Sequence, residues 1–322
     1  MPEDNTEKIR KILVLTIACL MSLSLLCCKQ ASDVANGPKK LRVVATIFPL
    51  FDFARAVGGD KADVSLLLPP GIEPHAFEPR PTDFRRIQDS DIFLFTGKFM
   101  EPWVAGLLKG IDAKSLSIVD TSKGIPLLEM VNHDGEEYPH PGSSGTPDPH
   151  IWLDFMDAAR MIDTITAEFI AKDPGNGNLY ARNSHEYKKK LEELDKKYQT
   201  GLSHCASKVI VHTGHFAFGY LARRYGLTYV SAYQGFSPDA EPTPRRLVEI
   251  TRTVRKYGVK YIYYEELVAP KVADVIAKET GCSLLLLNAA HNVTSDEMQK
   301  GTTFISIMEK DLDNLKVGLQ CR

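Results

Sequence analysis

The chain has 322 residues, of which 43% are hydrophobic and 25% charged, and its formal net charge is −2. That length accommodates two ordinary domains, and the composition is that of a soluble globular protein. The near balance of charge excludes a nucleic-acid footprint.

The N-terminus stands apart. Lys8, Arg10 and Lys11 precede an apolar run over 12–26, which reads as a secretory signal peptide and is short for a transmembrane helix. Cys27 and Cys28 follow directly. Residues 1–28 resemble a signal peptide ending in a bacterial lipobox, whose cysteine carries the lipid. The small residue usual before that cysteine is absent. Residues 29–38 are small and polar and read as a tether.

Strands and helices then alternate. Strands are expected over 41–47, 62–68, 91–95 and 116–119. Helices are expected over 50–57, 82–88 and 103–108. These strands are mostly continuous apolar runs, which predicts a parallel sheet covered on both faces. Residues 132–149 break the pattern with glycine, proline and serine, and carry His133 and His140. Helical periodicity returns over 156–171. A long charged helix follows over about 179–203, with Tyr187, Leu191, Leu194 and Tyr198 on one narrow apolar stripe. The second half repeats the alternation. Its strands are expected over 208–212, 227–232, 260–264 and 282–287. Its helices are expected over 217–225, 244–257, 272–280 and 295–317. The fold expected is α/β: two lobes, each with a parallel sheet of about four strands flanked by helices, joined by one long helix. The boundaries read as 39–177, a linker helix over 178–206, and 207–322.

Export exposes the remaining cysteines to an oxidising compartment. Cys282 starts a strand and Cys321 ends the chain after a helix. Cys282–Cys321 is the expected disulfide, with Cys205 as a competing partner.

Four histidines each follow a strand or a short loop after one: His75, His150, His215 and His291, at intervals of roughly seventy residues. Two lie in each lobe. Ligands of open parallel sheets bind at the carboxyl ends of the strands, and neutral imidazole is a common zinc ligand. The pattern points to one metal ion between the lobes. Prolines 69, 70, 74 and 79 stiffen the loop that carries His75. No His-Glu-x-x-His helix, phosphate-binding Gly-Lys loop or Gly-x-Ser-x-Gly elbow occurs.

Three motifs carry a resemblance. They are Pro70-Gly71-Ile72-Glu73-Pro74-His75-Ala76-Phe77-Glu78-Pro79, Asp148-Pro149-His150-Ile151-Trp152-Leu153-Asp154, and the run from His215 to Leu227. With them the mature chain resembles the solute-binding proteins of bacterial zinc/manganese ABC importers. The resemblance implies a lipid-anchored receptor in the periplasm or on the outer membrane face. It would be a monomer that captures Zn²⁺ and delivers it to an ABC permease and its ATPase subunit. His75, His150 and His215 match three ligand positions of that family. A histidine at the third is similar to zinc-type members; manganese/iron-type members usually carry a carboxylate there. The fourth position varies in the family. It falls on His291 here, with Asn288 or water as rivals. The place of the family's metal-collecting loop falls on His133 and His140. The less favoured readings are a Mn²⁺-type receptor, an adhesin with no sequence feature of its own, and a zinc hydrolase using Glu73 or Glu266 as base.

Overall fold

The first strand, β1 (Leu41–Ala45), sends alternate side chains into two different cores, Val43 and Ala45 to one and Val44 to the other. That is the period-2 signature of a strand covered on both faces. The computed structural model describes residues 40–75, 77–129, 147–233, 243–267 and 269–322. After β1 come α1 (Phe48–Gly58), β2 (Ala62–Leu66), α2 (Pro81–Gln88), β3 (Ile92–Phe95), α3 (Val104–Leu107), β4 (Ser117–Asp120), α4 (Phe155–Lys172) and α5 (Gly177–Gly201). The second half adds β5 (Val209–His212), α6 (Gly219–Tyr225), β6 (Thr228–Ser231), α7 (Pro244–Tyr257), β7 (Tyr261–Tyr264), α8 (Lys271–Thr280), β8 (Ser283–Leu286), α9 (Ser295–Gln299) and α10 (Phe304–Gly318).

The strands form two four-stranded sheets, ordered β2-β1-β3-β4 and β6-β5-β7-β8. Every pairing is parallel. The two halves therefore share one topology. In each, the first strand sits between the second and third, so crossovers run to both sides of it and leave a crevice at the carboxyl ends. Ile210 and Tyr263 face the same large core as Val43 and Ile92. Val211 and Ile262 face a separate outer core. One apolar core thus runs through both inner sheet faces and the helices between them.

Helix α5 spans 25 residues, roughly 38 Å at 1.5 Å per residue. Its stripe is buried as expected: Tyr187, Leu191, Leu194 and Tyr198 all lie in the shared core. It is bolted to both halves. The Tyr198 hydroxyl donates to the Met308 carbonyl at 2.7 Å, and Asn183 Nδ2 donates to the Val57 carbonyl at 3.0 Å. Asp52 joins three helices, accepting from the Tyr187 hydroxyl at 2.6 Å and from the Phe304 N–H at 3.0 Å.

Burial raises the pKa of the Asp52 carboxyl, and the Tyr187 and Phe304 donors oppose that rise. A folded pKa above the unfolded one favours the neutral form, so stability falls as pH rises through it. Tyr187→Phe removes a donor to the ionised form. It should cost about 1–2 kcal/mol at pH 8 and less near pH 4, where Asp52 takes up a proton. Thermal melts at the two pH values check this; equal losses at both would contradict it.

Three expectations change. The closing helix is not continuous over 295–317. Gly301 takes a left-handed φ of +73°, which ends α9, and Thr303 caps α10 by accepting from Ser306 N–H. The first strand stops at Ala45, because Pro49 pulls the start of α1 forward to Phe48. The disulfide is Cys205–Cys321, with S–S 2.00 Å, and Cys282 is a free thiol whose Sγ lies 3.1 Å from the Val259 carbonyl. Cys282 packs against the outer core. Helix α10 instead runs back along α5 and delivers the tail to the residues after it. There Ala206 N–H and Ser207 N–H donate to Gln320 and Leu319, and Arg322 N–H to His204. Cys27, Cys28, His133 and His140 lie outside the described residues.

Candidate metal centre

Each histidine reaches the centre on a segment whose rigidity has a local cause. The His75 loop leaves β2 through Pro69, Pro70 and Gly71, the last at φ +81°. Asn292 Nδ2 then donates to the Pro69 and Ile72 carbonyls at 2.7 and 2.9 Å, and Gly71 N–H to the Val293 carbonyl at 2.9 Å. The loop is therefore held by the opposite half of the molecule. His150 sits before a 3-10 turn, Ile151–Leu153. Trp152 Nε1 crosses to the Ala289 carbonyl at 2.8 Å. His215 follows β5, and the Tyr229 hydroxyl donates to its carbonyl at 3.1 Å. His291 follows β8, and its carbonyl accepts from Phe48 N–H at 3.1 Å. The residue before it, Ala290, is held at φ +58°, and Leu267, after Glu266, at φ +63°. Such conformations are costly for residues with a Cβ and cluster at functional sites.

The four imidazoles converge. Ring-centroid separations for the six pairs run from 4.8 Å (His150–His291) to 5.6 Å (His75–His291). The other four lie at 5.0–5.4 Å. Six nearly equal edges describe a tetrahedron. One nitrogen from each ring lies within 4.8 Å of all the others. A zinc ion with bonds of 2.0–2.1 Å sets a tetrahedral edge of roughly 3.4 Å, so a modest inward movement of the rings encloses such an ion. His150, His215 and His291 are buried and His75 is partly exposed, which puts His75 at the mouth.

Three rings are oriented from behind by carboxylates. Asp148 Oδ1 lies 2.7 Å from His150 Nδ1, Glu265 Oε2 lies 2.6 Å from His215 Nδ1, and Glu266 Oε1 lies 3.0 Å from His291 Nδ1. A carboxylate on Nδ1 selects the tautomer that turns the Nε2 lone pair toward a metal. The Nε2 atoms of His75, His215 and His291 are buried and without hydrogen-bond partners among the described residues, the condition of a ligand atom facing a cation. The carboxylates are themselves fixed. Asp148 Oδ1 also accepts from His150 N–H, Glu265 Oε2 from His215 N–H, and Glu266 Oε2 from Ala289 N–H.

Electrostatics follow from burial. Burial drives the His75 and His150 imidazoles well below their usual range, and the neighbouring histidines add to the effect. At His215 burial acts the same way, but the bond to Glu265 overcomes it and leaves the imidazole raised. Burial pushes Glu265 up, and the His215 bond more than reverses that, to about 2. Burial pushes the Asp148 carboxyl well up. The centre holds nitrogen donors inside and carboxyl groups behind them, an arrangement that suits a divalent cation.

All four predicted histidines are brought together. Asn288, the rival for the fourth place, has its Oδ1 engaged by Ala290 N–H at 2.7 Å. Glu266 is engaged with His291 rather than standing as a hydrolytic base. The roles of Glu265 and Glu266 as braces were not foreseen. Their signal was an acidic pair directly after a strand, Tyr261–Tyr264.

Comparison with known proteins agrees with this geometry. A family model described as zinc-uptake complex component A, periplasmic (ZnuA), matches residues 43–318. The high-affinity zinc uptake system protein ZnuA of Bacillus subtilis (strain 168) is 40% identical over 282 residues, covering 87% of this chain and 88% of that protein. The zinc-binding lipoprotein AdcA of Streptococcus pneumoniae is 38% identical over 312 residues, covering 95% of this chain but 60% of AdcA. Among solved structures, the Zn(II)-bound ZnuA-like domain of S. pneumoniae AdcA matches with a TM-score of 0.74 and 37% identity, covering 87% of this chain and 99% of that domain.

Proposed function

The chain belongs to the ZnuA family of zinc-uptake components, and from that premise we propose that His75, His150, His215 and His291 hold its cargo, one Zn²⁺, through their Nε2 atoms. It is a high-affinity zinc-binding receptor. The observation that carries the ligand set is the near-tetrahedral packing of four rings with a carboxylate behind three of them. Four imidazoles favour zinc over manganese, which prefers oxygen donors. An imidazole that binds the ion is neutral, so the ion keeps its full double charge. Asp148, Glu265 and Glu266 lie just behind and offset it.

The rest of the reading concerns delivery. The receptor passes zinc to an ABC permease driven by its ATPase subunit. A lipid on Cys27 or Cys28 tethers it to the outer face of the membrane, with 29–38 as the leash. It works as a monomer of two lobes, 39–177 and 207–322, hinged on α5. Bonds between the halves, Trp152 to Ala289 and Asn292 to Pro69 among them, restrict the opening to a small movement.

Metal analysis of protein purified without added metal tests the reading. One zinc per chain is expected, removable by a strong chelator and restored with the same stoichiometry. His291→Ala should bind zinc at least roughly 10–100-fold more weakly, since one of the four donors is lost. Protein that carries manganese in preference, or that binds zinc equally well without His291, overturns the four-imidazole assignment.

A further inference from the structure

Two glycines flank the His215 segment, Gly214 before it and Gly219 at the first turn of α6. Neither has a positive φ, so backbone freedom does not explain them. Space does. A Cβ on Gly214 would sit 2.3 Å from Glu265 Oε2, 2.6 Å from Glu265 Cδ and 2.6 Å from His212 Cε1. A Cβ on Gly219 would sit 2.7 Å from Asp148 Oδ2 and 2.9 Å from Phe216 Cε1. Each glycine is therefore in contact with one of the carboxylates that orient a histidine.

The geometry points to Gly214 and Gly219 as positioning residues: by presenting no Cβ, they admit the Glu265 and Asp148 carboxylates to His215 Nδ1 and His150 Nδ1. This rests on the zinc reading of the four-histidine centre. A methyl at 214 meets the far end of a flexible glutamate, so the carboxylate moves aside while the fold persists. What is lost is the 2.6 Å contact to His215 Nδ1 and the 3.1 Å bond from His215 N–H. The ring is then free to turn or to change tautomer, and its Nε2 no longer faces the metal in every molecule. Gly219 acts across the molecule. It lies in the second half of the chain, while Asp148 and His150 come from the first, where Asp148 O also accepts from the Tyr220 hydroxyl at 3.0 Å. The start of α6 thus presses on a carboxylate of the opposite lobe.

The test is a double-mutant cycle on the full protein, read as zinc affinity by competition with a chromogenic chelator. Gly214→Ala is expected to weaken zinc binding about 10–100-fold, as removal of an outer carboxylate does. In a Glu265→Ala background the same change should cost less than about threefold, because no carboxylate remains to be displaced. Gly219→Ala should behave alike against Asp148→Ala. Wild-type affinity in both glycine variants overturns the proposal. So does an undiminished loss in the Glu265→Ala background, which would mean that the methyl acts through His212 or the backbone. His215→Ala serves as the reference. If it binds zinc normally, the zinc assignment itself fails; if it loses zinc while the glycine variants do not, only the present inference fails.

Discussion

His215→Ala is expected to lower zinc affinity at least about a thousandfold, roughly 4 kcal/mol. His215 is buried, and its Nε2 is without a hydrogen-bond partner among the described residues. Its Nδ1 is held by Glu265 at 2.6 Å. Removing the ring removes one of four donors and leaves the Glu265 carboxylate with the backbone N–H of residue 215 as its remaining described bond. Little solvent reaches this depth to supply a replacement ligand. His75 provides the contrast. It is partly exposed at the mouth, where a water can take the vacated position, so His75→Ala should weaken binding by less. Calorimetry or chelator competition on both variants measures the difference. Zinc affinity within threefold of wild type for His215→Ala would remove this residue from the centre.

The second large effect concerns the fold. Replacing Cys205 and Cys321 together by serine should destabilise the protein by about 3–5 kcal/mol, since the bridge closes a loop of 116 residues and long loops lose the most unfolded-state entropy. That corresponds to a fall in melting temperature of roughly 10 °C, and a reducing agent should reproduce it in the wild-type protein. The loop contains the whole second sheet and two of the four histidines, because it starts at the foot of α5 and ends after α10. Cys282→Ser should move the melt little, since that thiol is free. A full loss from Cys282→Ser, with none from Cys205→Ser alone, would reverse the pairing.

The parts of this protein that were legible beforehand depend on short stretches of chain. Apolar runs punctuated by Gly226, Gly258 and Gly281, each left-handed at a helix end, mark strands and helices closely, since a helix terminates where a residue without a Cβ allows it. Histidines after β2, β5 and β8 mark a cleft, because parallel sheets expose their carboxyl ends there. His150, expected after a strand as well, instead precedes the 3-10 turn Ile151–Leu153, far from the end of β4 at Asp120. The Asp148–His150 pair is local too, an aspartate bonding the backbone and ring two residues on, but the sequence alone assigned Asp148 no such role. The break between α9 and α10 was equally local, signalled by Gly301 and Thr303, but helical periodicity on both sides masked it.

What sequence alone determined is thus the type of each element, the stiffness of the His75 loop and the nitrogen-rich character of the site. All of these rest on interactions within a few residues. Tertiary structure decided which groups stand behind the ligands and which cysteines meet. Glu265 reaches His215 across 50 positions because β5 lies beside β7, and Glu266 reaches His291 across 25 because β7 lies beside β8. Cys321 meets Cys205 because α10 packs back along α5. Strand order and helix direction are settled by burial of the shared core, a property of the whole chain that no single stretch encodes.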